Sequence, residues 1–325
     1  EPKAFVGYVC NKRTVDILRN NPDIDQVYVY EKDDFATMWR ISKIKFFKAV
    51  MDFVRQIKKE QYGLTIDVSL NKYVGFLTLL AGIKRRIGFD YKGRGLWLTK
   101  KIKLAGYESK HVIDFYLDLL GQMAIPVKEK SIKLLIKPDD QKWAEDFLLA
   151  EGVTSADKLV ALVPGGGASW GKDADYKRWP VENYSKLADK VIEKSHAKII
   201  LIGDRLEANV CQDVAAKMIS PCIKVLGKAT VGQFAALVSK CRLAIVNDGG
   251  PLHVAVGLGV RTVSIFGPVD EIVYGPYPKN HHEVVTSKIP CRPCYRRFHV
   301  ADCKHRKCLR SISVDDVIAK IGEIL

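Results

Sequence analysis

Apolar and polar positions in the second half of the chain follow two alternating rhythms. Short, continuous runs rich in Val, Ile and Leu occur at residues 159–163, 198–202, 223–226, 243–246, 262–266 and 284–286. They predict strands. Between them, residues 181–195, 207–219, 231–240 and a short run from Pro251 carry apolar positions at helical spacing. Strictly alternating strands and helices predict a parallel, doubly wound sheet, and strands without polar positions are those covered by helices on both faces. The first half repeats the pattern more faintly, with strands predicted at 5–9, 25–30 and 64–68 and helices at 12–20 and 41–59. In the last of these, Phe47, Val50, Val54 and Ile57 share one face, read as core-facing rather than membrane-binding. The charged helix and Glu151-Gly152 within 138–158 read as the passage between two α/β domains, 1–150 and 151–325.

Glycine sits at the end of every early strand of the second half. Pro164-Gly165-Gly166-Gly167 follows the first, Gly203-Asp204 the second and Gly227-Lys228 the third. Asn247-Asp248-Gly249-Gly250-Pro251 follows the fourth, and Gly267-Pro268-Val269-Asp270 the fifth. All five loops lie at the carboxyl ends of parallel strands, where such sheets bind ligands. Glycine there lets a ligand approach the backbone closely. The fourth loop runs straight into a helix whose first amides would be free to bind an anion, with His253 in its first turn. Lys177, in Tyr176-Lys177-Arg178-Trp179-Pro180, could reach a phosphate held by the first loop.

Composition narrows the partners. The chain has 325 residues, 47% hydrophobic and 27% charged, which suits two globular domains and no disordered or fibrous class. No apolar run approaches the ~20 residues that span a bilayer, and no secretory signal is visible. The formal charge is +15, with +8 in residues 1–150 and +7 in 151–325. An evenly basic surface suits an anionic partner such as a phosphorylated sugar, an acidic membrane or a nucleic acid. The densest stretch, 84–103, places eight basic residues around the lone Asp90, with Phe89, Tyr91 and Trp97 interleaved. Arg85, Arg86 and Arg94 are its candidates for an anionic acceptor, against a plain solvated face.

Of eight cysteines, Cys10, Cys211, Cys222 and Cys241 lie within apolar elements and read as buried thiols. Cys291, Cys294, Cys303 and Cys308 fall within 18 residues. Four thiols so close can enclose a structural zinc, although the unequal pair spacing leaves a redox-sensitive loop and free thiols equally open. Without a secretory signal, a reducing compartment is expected.

Several motifs together resemble the family-nine glycosyltransferases, the lipopolysaccharide heptosyltransferase family. They are Asn21-Pro22-Asp23-Ile24-Asp25, Arg86-Ile87-Gly88-Phe89, His111-Val112-Ile113-Asp114, Pro164-Gly165-Gly166 and Lys177-Arg178-Trp179-Pro180 in the first part of the match. Asn247 to His253, Phe266 to Asp270 and Cys291-Arg292-Pro293-Cys294-Tyr295 complete it, and a four-cysteine tail is familiar there too. The resemblance implies a glycosyltransferase-B fold, with two Rossmann-like domains facing a cleft. It implies inverting transfer of heptose from ADP-heptose to an anionic, lipid-linked oligosaccharide, the lipopolysaccharide inner core. No catalytic cofactor or nucleic acid is implied. The resemblance implies a cytoplasmic location, with transient contact at the inner face of the membrane.

By motif, Lys177 would contact the diphosphate with Gly165 and Gly166 beside it, Glu207 would hold the ribose, and Asp248, Gly249, Gly250 and His253 would surround the sugar diphosphate. The last helix, 313–325, would pack back on the first domain. The chain begins Glu1-Pro2-Lys3 with no counterpart of the family's opening strand and Gly-Asp loop, so the resemblance places the catalytic base upstream of Glu1. Two other readings compete: a non-catalytic relative that binds sugar nucleotides, and a basic, zinc-containing nucleic-acid-binding protein. The second lacks a recognition helix and leaves five glycine loops unexplained.

Overall fold

The structure, a computed structural model, describes residues 4–166, 168–303, 305–322 and 324. Gly167 of the first glycine loop lies outside them, as do positions 323 and 325 of the predicted last helix. The chain forms two units, Glu1–Lys128 and Glu129–Leu325. This division falls earlier than the 150/151 boundary expected from sequence. The reason is the charged helix at 138–150, whose Ala144 and Leu148 are buried in the core of the second unit.

The first unit runs β1 (Gly7–Cys10), α1 (Val15–Leu18), β2 (Gln26–Val29), α2 (Lys32–Ile41), α3 (Lys43–Lys59), β3 (Leu64–Asp67), α4 (Lys72–Leu80), β4 (Arg85–Tyr91), β5 (Lys100–Leu104) and α5 (Val112–Gly121). Strands β1 and β2 pair in parallel, and so do β3, β4 and β5 in that order. Tyr28, Phe53, Val54, Ile57, Leu77 and Ile83 form its main cluster.

Three expectations change here. The helix read at 41–59 begins at Lys43 and follows an unpredicted helix, α2; Ser42 between them, with an extended backbone (φ −157°) and a hydroxyl that accepts from the Lys45 N–H, caps α3. The apolar face of α3 is only partly core-facing: Val54 and Ile57 are buried, but Phe47 is 57% exposed. The basic run at 84–103 builds β4 and β5, and every basic side chain in it except Arg86 is exposed. Ile87, Phe89 and Tyr91 of β4 are buried, while Lys100, Lys101 and Lys103 of β5 are exposed on both of its faces. Lysine-rich β5 hid its period in the sequence because both of its faces carry long, charged side chains.

The second unit runs α6 (Pro138–Ala150), β6 (Leu159–Val163), α7 (Val181–Ser195), β7 (Lys198–Gly203), α8 (Ala208–Lys217), β8 (Ile223–Leu226), α9 (Val231–Ser239), β9 (Leu243–Asn247), α10 (Gly250–Gly257), β10 (Arg261–Phe266), α11 (Glu271–Tyr274) and β11 (His282–Thr286). A short antiparallel pair, β12 (Tyr295–Arg296) and β13 (His299–Val300), precedes α12 (Lys307–Arg310) and α13 (Val314–Ile321). The main sheet is parallel with order β11-β10-β9-β6-β7-β8. Separate apolar clusters cover its two faces, as the continuous apolar strands require. Strand order reverses between β6 and β9, which creates a crevice at their carboxyl ends. The terminal helix α13 has its apolar face in this unit's core: Val317 and Ile321 join Leu187 and Val191 of α7, and Trp179 Nε1 donates to the Ile312 carbonyl at 3.1 Å. Among the described residues no helix is long and apolar enough to cross a membrane.

One turn carries a pH signature. Asp157 accepts the Thr154 N–H at 2.7 Å, the Lys198 ammonium at 2.9 Å and the Thr154 hydroxyl at 2.9 Å. These contacts, the backbone bond foremost, hold its carboxyl at about 2, below the ordinary 3.8. A lowered folded-state value stabilises above the unfolded value and is lost as pH falls through the folded one. The wild-type advantage over Asp157→Asn is therefore expected to be constant at neutral pH and to shrink between about 4 and 2. Denaturant midpoints measured across that range check it; an advantage independent of pH would contradict it.

Candidate functional site

Two loops close on each other at the crevice. Strand β6 runs into Pro164-Gly165-Gly166, and β9 into Asp248-Gly249-Gly250. A Cβ on Gly249 would strike the Gly166 carbonyl, and one on Gly165 would strike the Glu207 carboxyl group. Gly166 itself has φ +82°, in the left-handed region that favours glycine. Asn247 locks the two loops together: its Nδ2 donates to the Pro164 carbonyl at 2.7 Å, and its Oδ1 accepts from the Tyr184 hydroxyl at 2.6 Å. Both residues are fully buried. Burial raises the Tyr184 hydroxyl well above its ordinary value, so it stays protonated and donates.

The charges gather beside this junction. Lys177, at the end of the 3-10 segment Ala168–Lys177, places Nζ 2.8 Å from Asp248 Oδ2, with side chains only 9% and 6% exposed. The same Nζ lies 4.3 Å from the centroid of the Trp170 ring. Asp248 Oδ2 is approached off the angle of a hydrogen bond and receives none from a described group. A buried pair so sparsely hydrogen-bonded has capacity for a further polar partner. It adjoins the start of α10, where the helix dipole favours an anion. His253, the fourth residue of α10, is half-buried.

Around them, Arg178 Nε donates to the Gly165 carbonyl at 2.8 Å and so steadies the glycine loop. Glu207 is 3% exposed and begins α8 after a turn in which Asp204 Oδ1 accepts from the N–H groups of Leu206 and Glu207. The structure thus gathers Gly165, Gly166, Lys177, Glu207, Asp248, Gly249 and Gly250 at the carboxyl edge of one sheet, with His253 on the helix that follows. Sequence reasoning missed Trp170, Tyr184 and Asn247 as supports. Their signal is burial and a partner distant in sequence, which no local pattern carries.

The four clustered cysteines grade from exposed Cys291 through half-buried Cys294 and Cys303 to buried Cys308. Burial, then the neighbouring thiols, pushes the Cys308 thiol up to about 11. Among the described residues no three Cys, His, Asp or Glu side chains converge as metal ligands. The donor set as placed does not fit a zinc, and Cys303 Sγ lies 3.6 Å from His305 Nδ1. The segment has a clear packing role. Arg292 donates to the Gly267 and Val269 carbonyls and pairs with Glu271, while the N–H groups of Cys294 and Tyr295 both donate to the Pro268 carbonyl. Tyr295 then packs 5.0 Å from Trp170, the ring beneath Lys177. The fifth glycine loop is thereby tied to the first. Among the other thiols, Cys211 and Cys241 are buried and pushed up to about 12, as inert core thiols should be.

In the first unit a cavity of about 560 Å³ is lined by Lys32, Ser69, Asn71, Lys72, Lys92 and Arg94, among others. No carboxylate lines it. Leu70 and Lys92, in the loops after β3 and β4, hold left-handed backbones at φ +55° and +52°, a strain that accumulates at binding sites. Of the three arginines expected to grip an acceptor, only Arg94 lines this cavity. Arg85 is exposed elsewhere on β4, and Arg86 is buried and donates to the Ile83, Lys84 and Trp97 carbonyls, a structural role.

Two parallel α/β units, the second with glycine loops at its strand-order reversal, define the glycosyltransferase-B fold. The chain belongs to glycosyltransferase family 9 (heptosyltransferase), whose pattern matches residues 50–305. It is 26% identical over 220 residues to lipooligosaccharide heptosyltransferase 2 of Campylobacter jejuni subsp. jejuni serotype O:6, a match that covers 67% of this chain and spans 65% of that relative's length. It is 23% identical over 331 residues to lipopolysaccharide heptosyltransferase 3 of Escherichia coli K12, covering 100% of this chain and 90% of that one. Among solved structures, a family 9 glycosyl transferase from Veillonella parvula superposes with a TM-score of 0.83 at 23% identity, covering 99% of this chain and 89% of the other. The E. coli heptosyltransferase WaaC with ADP does so at 0.72 and 17% identity, covering 100% and 91%.

Proposed function

We propose that this chain transfers heptose from ADP-heptose to the lipopolysaccharide inner core with inversion at the sugar carbon, the second unit holding the donor and the first the anionic, lipid-linked acceptor. The observation that carries the reading is the buried Lys177–Asp248 pair at the start of α10, between two interlocked glycine loops. Relatives bearing heptosyltransferase names support the sugar, and structures of E. coli WaaC with ADP and with ADP-2-deoxy-2-fluoro heptose support the adenine nucleotide.

In this reading the diphosphate lies against the α10 amides and takes the charge of Lys177. Gly165, Gly166, Gly249 and Gly250 admit it, having no side chains in the way. Glu207 accepts from the ribose hydroxyls, as acidic residues do in nucleotide-binding sheets. Asp248 orients Lys177, and His253 donates to the sugar diphosphate. Lys32, Lys72, Lys92 and Arg94 hold the acceptor's negative groups. Transfer is a single displacement: the acceptor hydroxyl attacks the anomeric carbon and gives its proton to a base, and the bond to the nucleoside diphosphate breaks. Negative charge grows on the departing phosphate, and preorganised amides and Lys177 meet it there.

Titration calorimetry with ADP, ADP-heptose and UDP-sugars tests the donor. ADP and ADP-heptose are expected to bind at least roughly tenfold more tightly than any uridine nucleotide, a difference of about 1.4 kcal/mol. Preference for a uridine nucleotide would overturn the assignment.

A further inference from the structure

Helix α3 carries two apolar stripes, and only one has a partner in the fold. Phe53, Val54 and Ile57 are buried in the core of the first unit. Ile44, Phe47 and Met51 form a second stripe at helical spacing and are 82%, 57% and 43% exposed. The end of α2 adds Trp39 and Ile41, the latter 75% exposed. Trp39 packs edge-on against Phe46 and Phe47, so these rings make one continuous apolar surface where the two helices meet at Ser42. Exposed large apolar groups gathered this densely mark an interaction site rather than ordinary surface.

The patch itself is basic, with Asp33 and Asp34 at the far start of α2 and Asp52 paired with Arg55. Residues 35–51 contain Arg40, Lys43, Lys45 and Lys48 and no acidic residue. All four cations are exposed, and Lys43 lies over the Trp39 ring. We infer that the α2–α3 corner is a membrane-docking element, which inserts Trp39, Ile41, Ile44 and Phe47 among the headgroups of an anionic bilayer. An apolar tip ringed by lysine and arginine, with tryptophan at its border, is the chemistry that an acidic lipid surface recognises. A second copy of the chain fits worse, because a symmetric contact would set four cations against four. The inference stands apart from the transferase reading, since vesicle binding is measured without donor or acceptor.

The test is flotation of the full chain with vesicles of phosphatidylglycerol in phosphatidylcholine, compared with phosphatidylcholine alone. The chain is expected to float with the anionic vesicles and to bind neutral ones roughly tenfold more weakly. Ile44→Asp with Phe47→Asp should cut anionic binding by at least roughly tenfold. Lys43→Glu with Lys45→Glu should cut it similarly and remove its sensitivity to salt. These side chains are exposed, and an unchanged melting temperature confirms that the variants fold. Undiminished vesicle binding by the Ile44/Phe47 variant would overturn the inference. So would sedimentation showing self-association of the wild type that those substitutions abolish.

Discussion

Lys177→Met will destabilise the second unit by about 3–5 kcal/mol, because it leaves Asp248 as an uncompensated buried charge. It will also weaken ADP binding by roughly tenfold or more, the value of a lost charge-assisted contact. The two effects are separable. In the double variant Lys177→Met with Asp248→Asn, no lone charge is buried, so much of the stability should return while the nucleotide affinity stays low. Denaturant unfolding and calorimetry on the two variants read this directly. Recovery of ADP affinity along with stability would mean that Lys177 serves the fold and not the ligand. The geometry favours both roles: the ammonium is 2.8 Å from Asp248, rests on the Trp170 ring, and faces the start of α10.

Gly249→Ala is the second large expected effect, and its cause is steric. A Cβ at this position meets the carbonyl oxygen and carbon of Gly166, which are backbone atoms and cannot rotate away. Forcing the loops apart should cost about 1–3 kcal/mol of stability, as overpacking does. Asn247 spans the same gap through Pro164, so the displacement would also strain its buried hydrogen bond. Donor binding should fall by roughly tenfold or more, since misplaced phosphate donors lose most of their value. Gly250→Ala is the matched control for stability alone, because a Cβ there meets no protein atom within 4 Å. Equal losses of stability from both substitutions would show that the helix start matters generally and that the closure of the two loops does not. The backbone at Gly249 (φ 161°) is extended and open to any residue, so the requirement for glycine is one of space alone.

The second unit was largely legible in the sequence, and the first much less so, for a physical reason. Strands buried on both faces, such as 159–163, are unbroken apolar runs that announce themselves. The loops after them must be glycine-rich to admit a ligand, so the candidate site came with its fold. In the first unit, β5 reads Lys-Lys-Ile-Lys-Leu and β4 begins with two arginines. Their charge masked their period. The same masking misplaced function: Arg86 looked like an anion contact, yet its guanidinium satisfies three backbone carbonyls. Lys32, Lys72 and Lys92 went unnoticed beside Arg94 because only folding brings the three segments to one cavity. Helix α2 went unread before the one predicted from Ile41, and helical spacing in α3 gave no sign that Phe47 turns outward.

The seam between β6 and β9 also has a consequence in time. Val160 pairs with Leu243, so this is the longest-range pairing in the sheet, with β7 and β8 made between its two strands. Joining distant segments costs loop-closure entropy and slows folding. The flanking pairs β6–β7–β8 and β9–β10–β11 are more local and can assemble as separate halves. Gly165 and Gly166 belong to one half, and Asp248 and Gly249 to the other. The proposed phosphate grip therefore does not exist in either half and comes into being only when the seam closes. A bound nucleotide would act as a clasp across the longest-range strand pairing of the sheet, resisting its reopening more than that of any other pair of strands.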